Sequence, residues 1–262
     1  MSEYPLQLSD VELARYQFMA ETAAASEADL WTAAGVVDGA AVADVGCGPG
    51  AVSAVLARLV GPTGRVVAVD RDPNAVAAAR AAGAANLTVS EGAADDTGLE
   101  PASVDTVMIR HVLAHNGGRE QAIVDHAATL VRPGGRVYLA DIDMSAFRLR
   151  PKDARLVDLD DRYNEWHSRR GNDLSVGLRL GELLTGAGLE DVAHHGRYQI
   201  FPSRPGFRTP AWAALDALAA DGLATPEDID HWAAAFEEYD AMEVRPTMFV
   251  ALFFAIGRRP AS

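Results

Sequence analysis

Three glycines at alternate positions, Gly46, Gly48 and Gly50, follow the apolar, β-prone run Ala40-Ala41-Val42 in the stretch ADVGCGPG. A strand over 42–45 must therefore turn tightly into a helix over 51–60. Glycine permits left-handed backbone and lets a ligand lie against the main chain, while the helix amino terminus near Gly50 favours a negative group. In an open α/β sheet ligands bind outside the carboxyl ends of the strands, so this loop is a site for a nucleotide-like molecule.

The chain goes on alternating strand and helix patterns. A strand over 65–70 (RVVAVD) follows the turn Gly61-Pro62-Thr63-Gly64, and Asp72-Pro73 is an N-cap and N1 pair opening a helix that Gly83 closes. Further strands are expected over 87–90, 104–110 (VDTVMIR) and 135–141 (GRVYLAD), with a helix over 119–131. Before the glycine loop, 11–34 reads as one or two helices ending at Gly35. Beyond Pro151 come a helix over 152–170, with Leu156, Leu159, Tyr163 and Trp166 at helical spacing, a second over 178–187 and a strand over 191–200. Two amphipathic helices, around 211–220 and over 226–241, precede a terminal strand over 247–257. The fold class is α/β: a Rossmann-like, doubly wound, mostly parallel seven-stranded sheet with helices on both faces, plus amino-terminal and late helical additions forming a lid. One domain over 1–262 is expected, with 1–35 as the amino-terminal lid segment, 36–145 as the cofactor-binding core and 146–262 as substrate-side helices and last strands.

Composition narrows the partners. Of 262 residues 49% are hydrophobic, enough for a substantial core, yet the longest nearly apolar run, 248–256, is too short to span a bilayer. The start MSEYPLQLSD carries no basic region before an apolar stretch, which predicts a cytoplasmic protein without membrane association. Lys and Arg total 23 against 37 Asp and Glu, a surface that repels a phosphate backbone, so nucleic acid is not an expected partner. Cys47 is the one cysteine, which excludes an internal disulfide and a cysteine-cluster metal site.

As Gly46-x-Gly48-x-x-Ala51, with Asp70 about twenty residues on, the loop also fits a dinucleotide fingerprint. An NAD(P)-dependent dehydrogenase is thus one alternative, though Lys152 is the sole lysine and no catalytic Tyr-x-x-x-Lys pair is present. The order DVGCGPG, VVAVDRDP, SVDTVMIRHVLAH and VRPGG resembles another family, the class I S-adenosylmethionine-dependent methyltransferases, in particular the small-molecule branch of quinone-ring and natural-product enzymes. The resemblance implies methyl transfer from S-adenosyl-L-methionine, with S-adenosyl-L-homocysteine as product, to an oxygen, carbon or nitrogen of a small organic acceptor, with secondary metabolism as a setting. A member of the same fold that binds the cofactor but catalyses a cyclisation or rearrangement is the other alternative, and a homodimer stays open.

Carried onto this chain, the resemblance places Asp44, Gly46, Cys47 and Gly48 along the methionyl part, Gly50 in the turn, and Asp70 with Arg71 at the ribose. Where the family usually writes Gly-Asp-Ala after the third strand, this chain has Gly92-Ala93-Ala94, so adenine falls to main chain at Ala93 and Ala94 or to Asp95. Arg110 and His111 are expected beside the sulfonium. His111 and His115 are candidate bases, useful when the acceptor is a hydroxyl, because imidazole titrates near neutrality. Tyr4, Tyr16, His115, Asp141, Tyr163, Trp166 and His167 are candidate substrate residues. His194 and His195 read as structural, and no metal is expected, since Asp105 starts its strand away from Asp141 and Asp143.

Overall fold

The computed structural model describes residues 10–261. Two helices, α1 (Asp10–Ser26) and α2 (Ala28–Ala33), precede β1 (Ala41–Val45). The alternating part comprises α3 (Ala51–Leu59), β2 (Arg65–Asp70), α4 (Pro73–Ala81), β3 (Leu87–Glu91), β4 (Val104–Arg110), α5 (Glu120–Leu130) and β5 (Val131–Ile142). There follow β6 (Arg148–Arg150), α6 (Ala154–Ser168), α7 (Leu180–Gly186), β7 (Glu190–Pro202), α8 (Pro210–Ala213), α9 (Leu215–Ala220), α10 (Pro226–Ala241) and β8 (Thr247–Arg258).

Local chemistry sets several boundaries. The Asp72 side chain accepts from the Asn74 N–H and Pro73 occupies the first turn of α4. At α10 the Thr225 hydroxyl accepts from the Asp228 N–H while the Asp228 carboxylate accepts from the Thr225 N–H, a reciprocal capping box.

The sheet order is β3-β2-β1-β4-β5-β8, and both β6 and β7 also pair with β8. Strands β1 to β5 run parallel, whereas β8 is antiparallel to β5, β6 and β7. The chain winds outward from β1 to β3 and then returns to lay β4 on the other side of β1. The crevice at that reversal is where the glycine loop lies.

Strand alternation divides the core. Ala43, Val45, Val107, Ile109, Val137 and Leu139 join one buried cluster that continues through α5 and α7 into Leu156, Leu159, Trp232 and Phe236. Val42, Met108, Tyr138, Ala140 and Phe254 join a second cluster containing Leu30, Trp31 and Leu56. Among the described residues no helix is long and apolar enough to cross a membrane.

Eight strands replace the expected seven, and the addition is the three-residue β6. Its sequence, Arg-Leu-Arg, carries no alternation to read. It forms because β8 outruns β5: β5 pairs with 252–258, leaving Thr247–Phe249 open to β6. The expected helix around 211–220 is broken at Ala214 into α8 and α9.

A buried polar knot fastens the amino-terminal helices to the sheet. Glu27, between α1 and α2, is 1% exposed. Its Oε2 accepts from Trp31 Nε1 at 3.0 Å and from the Tyr138 hydroxyl at 2.6 Å. The Arg110 guanidinium donates to both carboxylate oxygens, at 3.1 Å to Oε1 and by a shorter bond to Oε2. Removing one member of a buried pair strands the other charge. Glu27→Ala is accordingly expected to cost about 3–5 kcal/mol in denaturant unfolding, and the double change Glu27→Ala/Arg110→Met to recover much of it, because no unpaired charge is left.

Candidate active site

The glycine loop is held from both sides. A Cβ on Gly46 would stand 2.3 Å from Val112 Cγ2, so the loop after β1 lies against the loop after β4. Gly48 differs: at φ +53° it has nothing within 4 Å of where a Cβ would be, so this backbone faces open space. Its N–H donates to Asp70 Oδ2 at 2.8 Å, and Asp70 Oδ1 accepts from the Asp72 N–H at 2.9 Å. Asp70 thus ties the loop to the tip of β2. A carboxylate has further lone pairs on each oxygen, enough to accept from two neighbouring hydroxyls as well. Open backbone at Gly48 beside an acidic strand end fits the amino-acid and ribose parts of an adenosyl sulfonium compound.

Asp44, on β1 before this loop, is 3% exposed and accepts from Ser53 Oγ at 2.6 Å. Burial pushes its carboxyl up to about 6, against the opposing effects of the Ser53 bond and the Arg110 charge. Cys47 is buried and its thiol is pushed up by burial, so it contributes backbone and shape, not a thiolate. Gly50 is the left-handed residue preceding α3.

Other sequence candidates fall differently. Arg110, expected beside the sulfonium, turns to the face of α1 and α2, where Glu27 and the Trp31 ring hold it, the ring centroid 5.8 Å from its guanidinium carbon. Strand alternation explains this, because Arg110 shares a face with Met108. Asp95 gives both oxygens to Arg119, which holds its carboxyl below the usual range. Ala93 accepts from the Asp96 N–H at 3.1 Å, forming a tight turn beyond β3. Arg71 is exposed, and its charge is felt at His115. Tyr4 lies outside the described residues.

On the acceptor side the chain brings distant residues together. His111 leaves β4 with φ +54°, a left-handed conformation uncommon without glycine. Its Nδ1 is 3.8 Å from Asp141 Oδ1, an ion-pair separation too long for a hydrogen bond. Asp141 is 1% exposed and accepts from the Ala114 N–H at 3.2 Å and the Ile142 N–H at 3.0 Å. His115, in the single turn Leu113–His115, is lowered by burial, with Asp141 opposing. Its ring centroid is 5.1 Å from that of His167, which α6 supplies together with Tyr163 and Trp166, edge-on to it at 4.5 and 4.8 Å. Burial raises the Tyr163 phenol to about 12, and the Arg15 charge acts on it. Tyr16, half-buried on α1, has the Arg15 guanidinium carbon 5.0 Å from its ring centroid.

The remaining carboxylates have structural partners. Asp105 Oδ2 accepts from the Ala41 N–H at 2.8 Å and its other oxygen pairs with Arg132; Asp143 Oδ1 accepts from Ser145 and Ser175. Among the described residues no group of three His, Cys, Asp or Glu could hold a metal. His194 Nε2 lies 2.9 Å from the Gly177 carbonyl oxygen. Glu27 and Asn172 are the residues that pattern reading missed. Neither carries a readable local signal, since Glu27 depends also on Arg110 and Tyr138, and Asn172 on Gly117, all far away in sequence.

A family described as a methyltransferase domain matches residues 37–185, more than half of the chain. The chain belongs to this family, the class I S-adenosylmethionine-dependent methyltransferases. That membership favours the methyltransferase reading of the glycine loop over the nicotinamide one. The ubiquinone biosynthesis O-methyltransferase of Xylella fastidiosa is 34% identical over 119 residues, 43% of this chain and 47% of that protein. The chain spans under half the length of the curated relatives it matches. Among solved structures, a provisionally named methyltransferase of Bacillus halodurans has a TM-score of 0.57 at 19% identity, over 90% of this chain and 99% of that one. The Haemonchus contortus phosphoethanolamine N-methyltransferase 2, solved with S-adenosyl-L-methionine, has a TM-score of 0.51 at 18% identity, over 86% of this chain and 49% of that one. These structural likenesses are of fold.

The raised Asp44 carboxyl carries a sign. With its protonation midpoint at about 6, the carboxylate that would meet the cofactor ammonium is formed above that pH and lost below it. Calorimetric affinity for S-adenosyl-L-homocysteine is expected to be level above about pH 7 and to fall by up to about tenfold per pH unit below about pH 6. Asp44→Asn is expected to weaken binding and to flatten that profile.

Proposed function

We infer that the protein transfers the methyl group of S-adenosyl-L-methionine to a small organic acceptor seated among His111, His115, Asp141, Tyr163 and His167. The observation that carries this reading is their convergence, from β4, β5 and α6, at the strand ends beside the glycine loop. When bound, S-adenosyl-L-methionine supplies a methyl group already activated on a sulfonium. The protein's tasks are then to align a nucleophile and to keep water away.

In this reading Asp70 and the Gly46–Gly48 backbone hold the nucleoside and Asp44 the amino-acid end. His111 accepts the acceptor proton on an imidazole nitrogen, and the Asp141 carboxylate 3.8 Å away stabilises its charged form, which favours an oxygen acceptor such as a phenol or enol. Burial lowers His115, so it stays neutral and serves as a wall or a hydrogen-bonding group. Residues 10–35 and 146–261 are proposed to enclose the acceptor. Support comes from α1, whose Arg15 acts on Tyr163 of α6.

Isotopically labelled methyl from S-adenosyl-L-methionine is expected to appear in a small-molecule fraction of a phenolic acceptor library. Asp70→Ala is expected to weaken S-adenosyl-L-homocysteine binding by tenfold or more, about 1.4 kcal/mol or above. His111→Ala is expected to leave that binding intact while lowering kcat by about 10²–10⁴. Unchanged nucleoside affinity in folded Asp70→Ala would sink the cofactor assignment, and an unimpaired His111→Ala would sink the base.

A further inference from the structure

Asn172 decides which nitrogen of His167 carries the proton. The Gly117 main-chain N–H can only donate, and it donates to Asn172 Oδ1 at 3.0 Å. The amide orientation is thereby fixed, and its NH2 group is what lies 3.0 Å from His167 Nδ1. An amide nitrogen has only donors, so Nδ1 accepts and the neutral ring bears its proton on Nε2. The bridge is built into the backbone: Gly117 packs so closely on Gly171 that a Cβ would stand 1.8 Å from the Gly171 carbonyl oxygen. The Asn172 N–H also donates to the His167 carbonyl at 3.0 Å, tying the turn to the end of α6.

The Nε2–H so defined has no hydrogen-bond partner, although the atom is buried and His167 is only 3% exposed. Buried donors in native proteins are nearly always satisfied, so this one calls for a ligand group. Its neighbours are aromatic: Tyr163 and Trp166 stand edge-on and His115 lies beyond. Burial pulls the ring down to about 3, helped by the two titratable and charged groups acting on it, His115 from the turn after β4 and Arg170 just past α6, which both oppose a second proton. A neutral donor in an aromatic wall suits an oxygen lone pair. A protonated amine has no lone pair to offer it.

We propose that His167 donates through Nε2–H to an oxygen of the methyl acceptor, and that this bond selects phenolic or carbonyl compounds over ammonium compounds of similar shape. His167 is then a specificity-determining residue and Asn172 its positioning residue. The inference rests on the acceptor site proposed above and reaches beyond it, because it concerns recognition and not the transfer step.

The test uses the full chain saturated with S-adenosyl-L-homocysteine, with p-cresol, 4-methylbenzaldehyde and benzylammonium as probes. Nitrogen-15 NMR of the histidine rings should show the His167 proton on Nε2, with a shift on adding p-cresol. His167→Phe should weaken p-cresol by about tenfold or more and leave benzylammonium unchanged. Asn172→Asp keeps the acceptor for Gly117 but makes Nδ1 the donor, stripping Nε2. Its affinity for 4-methylbenzaldehyde, a carbonyl acceptor with no O–H to donate, should be low relative to wild type near pH 8 and approach the wild-type value as the pH falls and the ring takes a second proton. An unprotonated Nε2 in wild type, absence of p-cresol binding, or equal p-cresol affinity in wild type and His167→Phe would overturn the inference. Calorimetry with S-adenosyl-L-homocysteine on the same samples separates outcomes: lost nucleoside binding defeats the methyltransferase reading, whereas retained binding with a silent His167 defeats this one alone.

Discussion

The pairing of Glu27 with Arg110 fixes the amino-terminal helices on the sheet. A carboxylate from the junction of α1 and α2 is the shared acceptor for groups from β4, β5 and its own helix, all in a buried setting. Burying that much charge is unfavourable unless every member is satisfied, so the arrangement has one workable geometry. Two consequences follow. Arg110 is turned towards α1 and α2, away from the side of the sheet on which the acceptor is proposed to sit. The Arg110 charge also acts on Asp44, partly opposing the burial that raises its carboxyl.

The parts legible in sequence are those written in local chemistry. The limits of β2, β4 and α10 follow from alternation and capping within a few residues, and the glycine loop from its own composition. What escaped depends on partners far along the chain. Glu27 looks like one more polar residue on an alanine-rich helix, yet its roles are set by Arg110 and Tyr138, 83 and 111 residues away. Asn172 sits in a short turn and finds Gly117 55 residues back. For β6 the determining fact is the overhang of β8, a property of the assembled sheet. Arg110 was placed wrongly for a related reason: its position at a strand end was clear, but which side it served depended on helices whose docking no short pattern encodes.

The proposed nucleoside and acceptor sites are built by different means. Around Asp44, Gly48 and Asp70 the determinants are main-chain donors and short acidic side chains within one stretch of sequence. The acceptor cluster is assembled from the turn after β4, the end of β5 and the last turns of α6, and its character comes from burial. His115 and His167 are both pulled down by desolvation, so two neighbouring histidine rings, 5.1 Å apart, behave as neutral hydrogen-bonding groups and not as a cationic patch.

Asp70 has one more implication. Because its two oxygens already hold the main chain at Gly48 and Asp72, the slot proposed for the nucleoside is shaped before any guest arrives. Ordering of that loop is completed during folding, so occupancy adds a mass-action gain in thermal stability without a disorder-to-order step. Free and occupied forms should superpose closely along 46–50, and association should proceed at a rate governed by access to the crevice instead of by loop rearrangement.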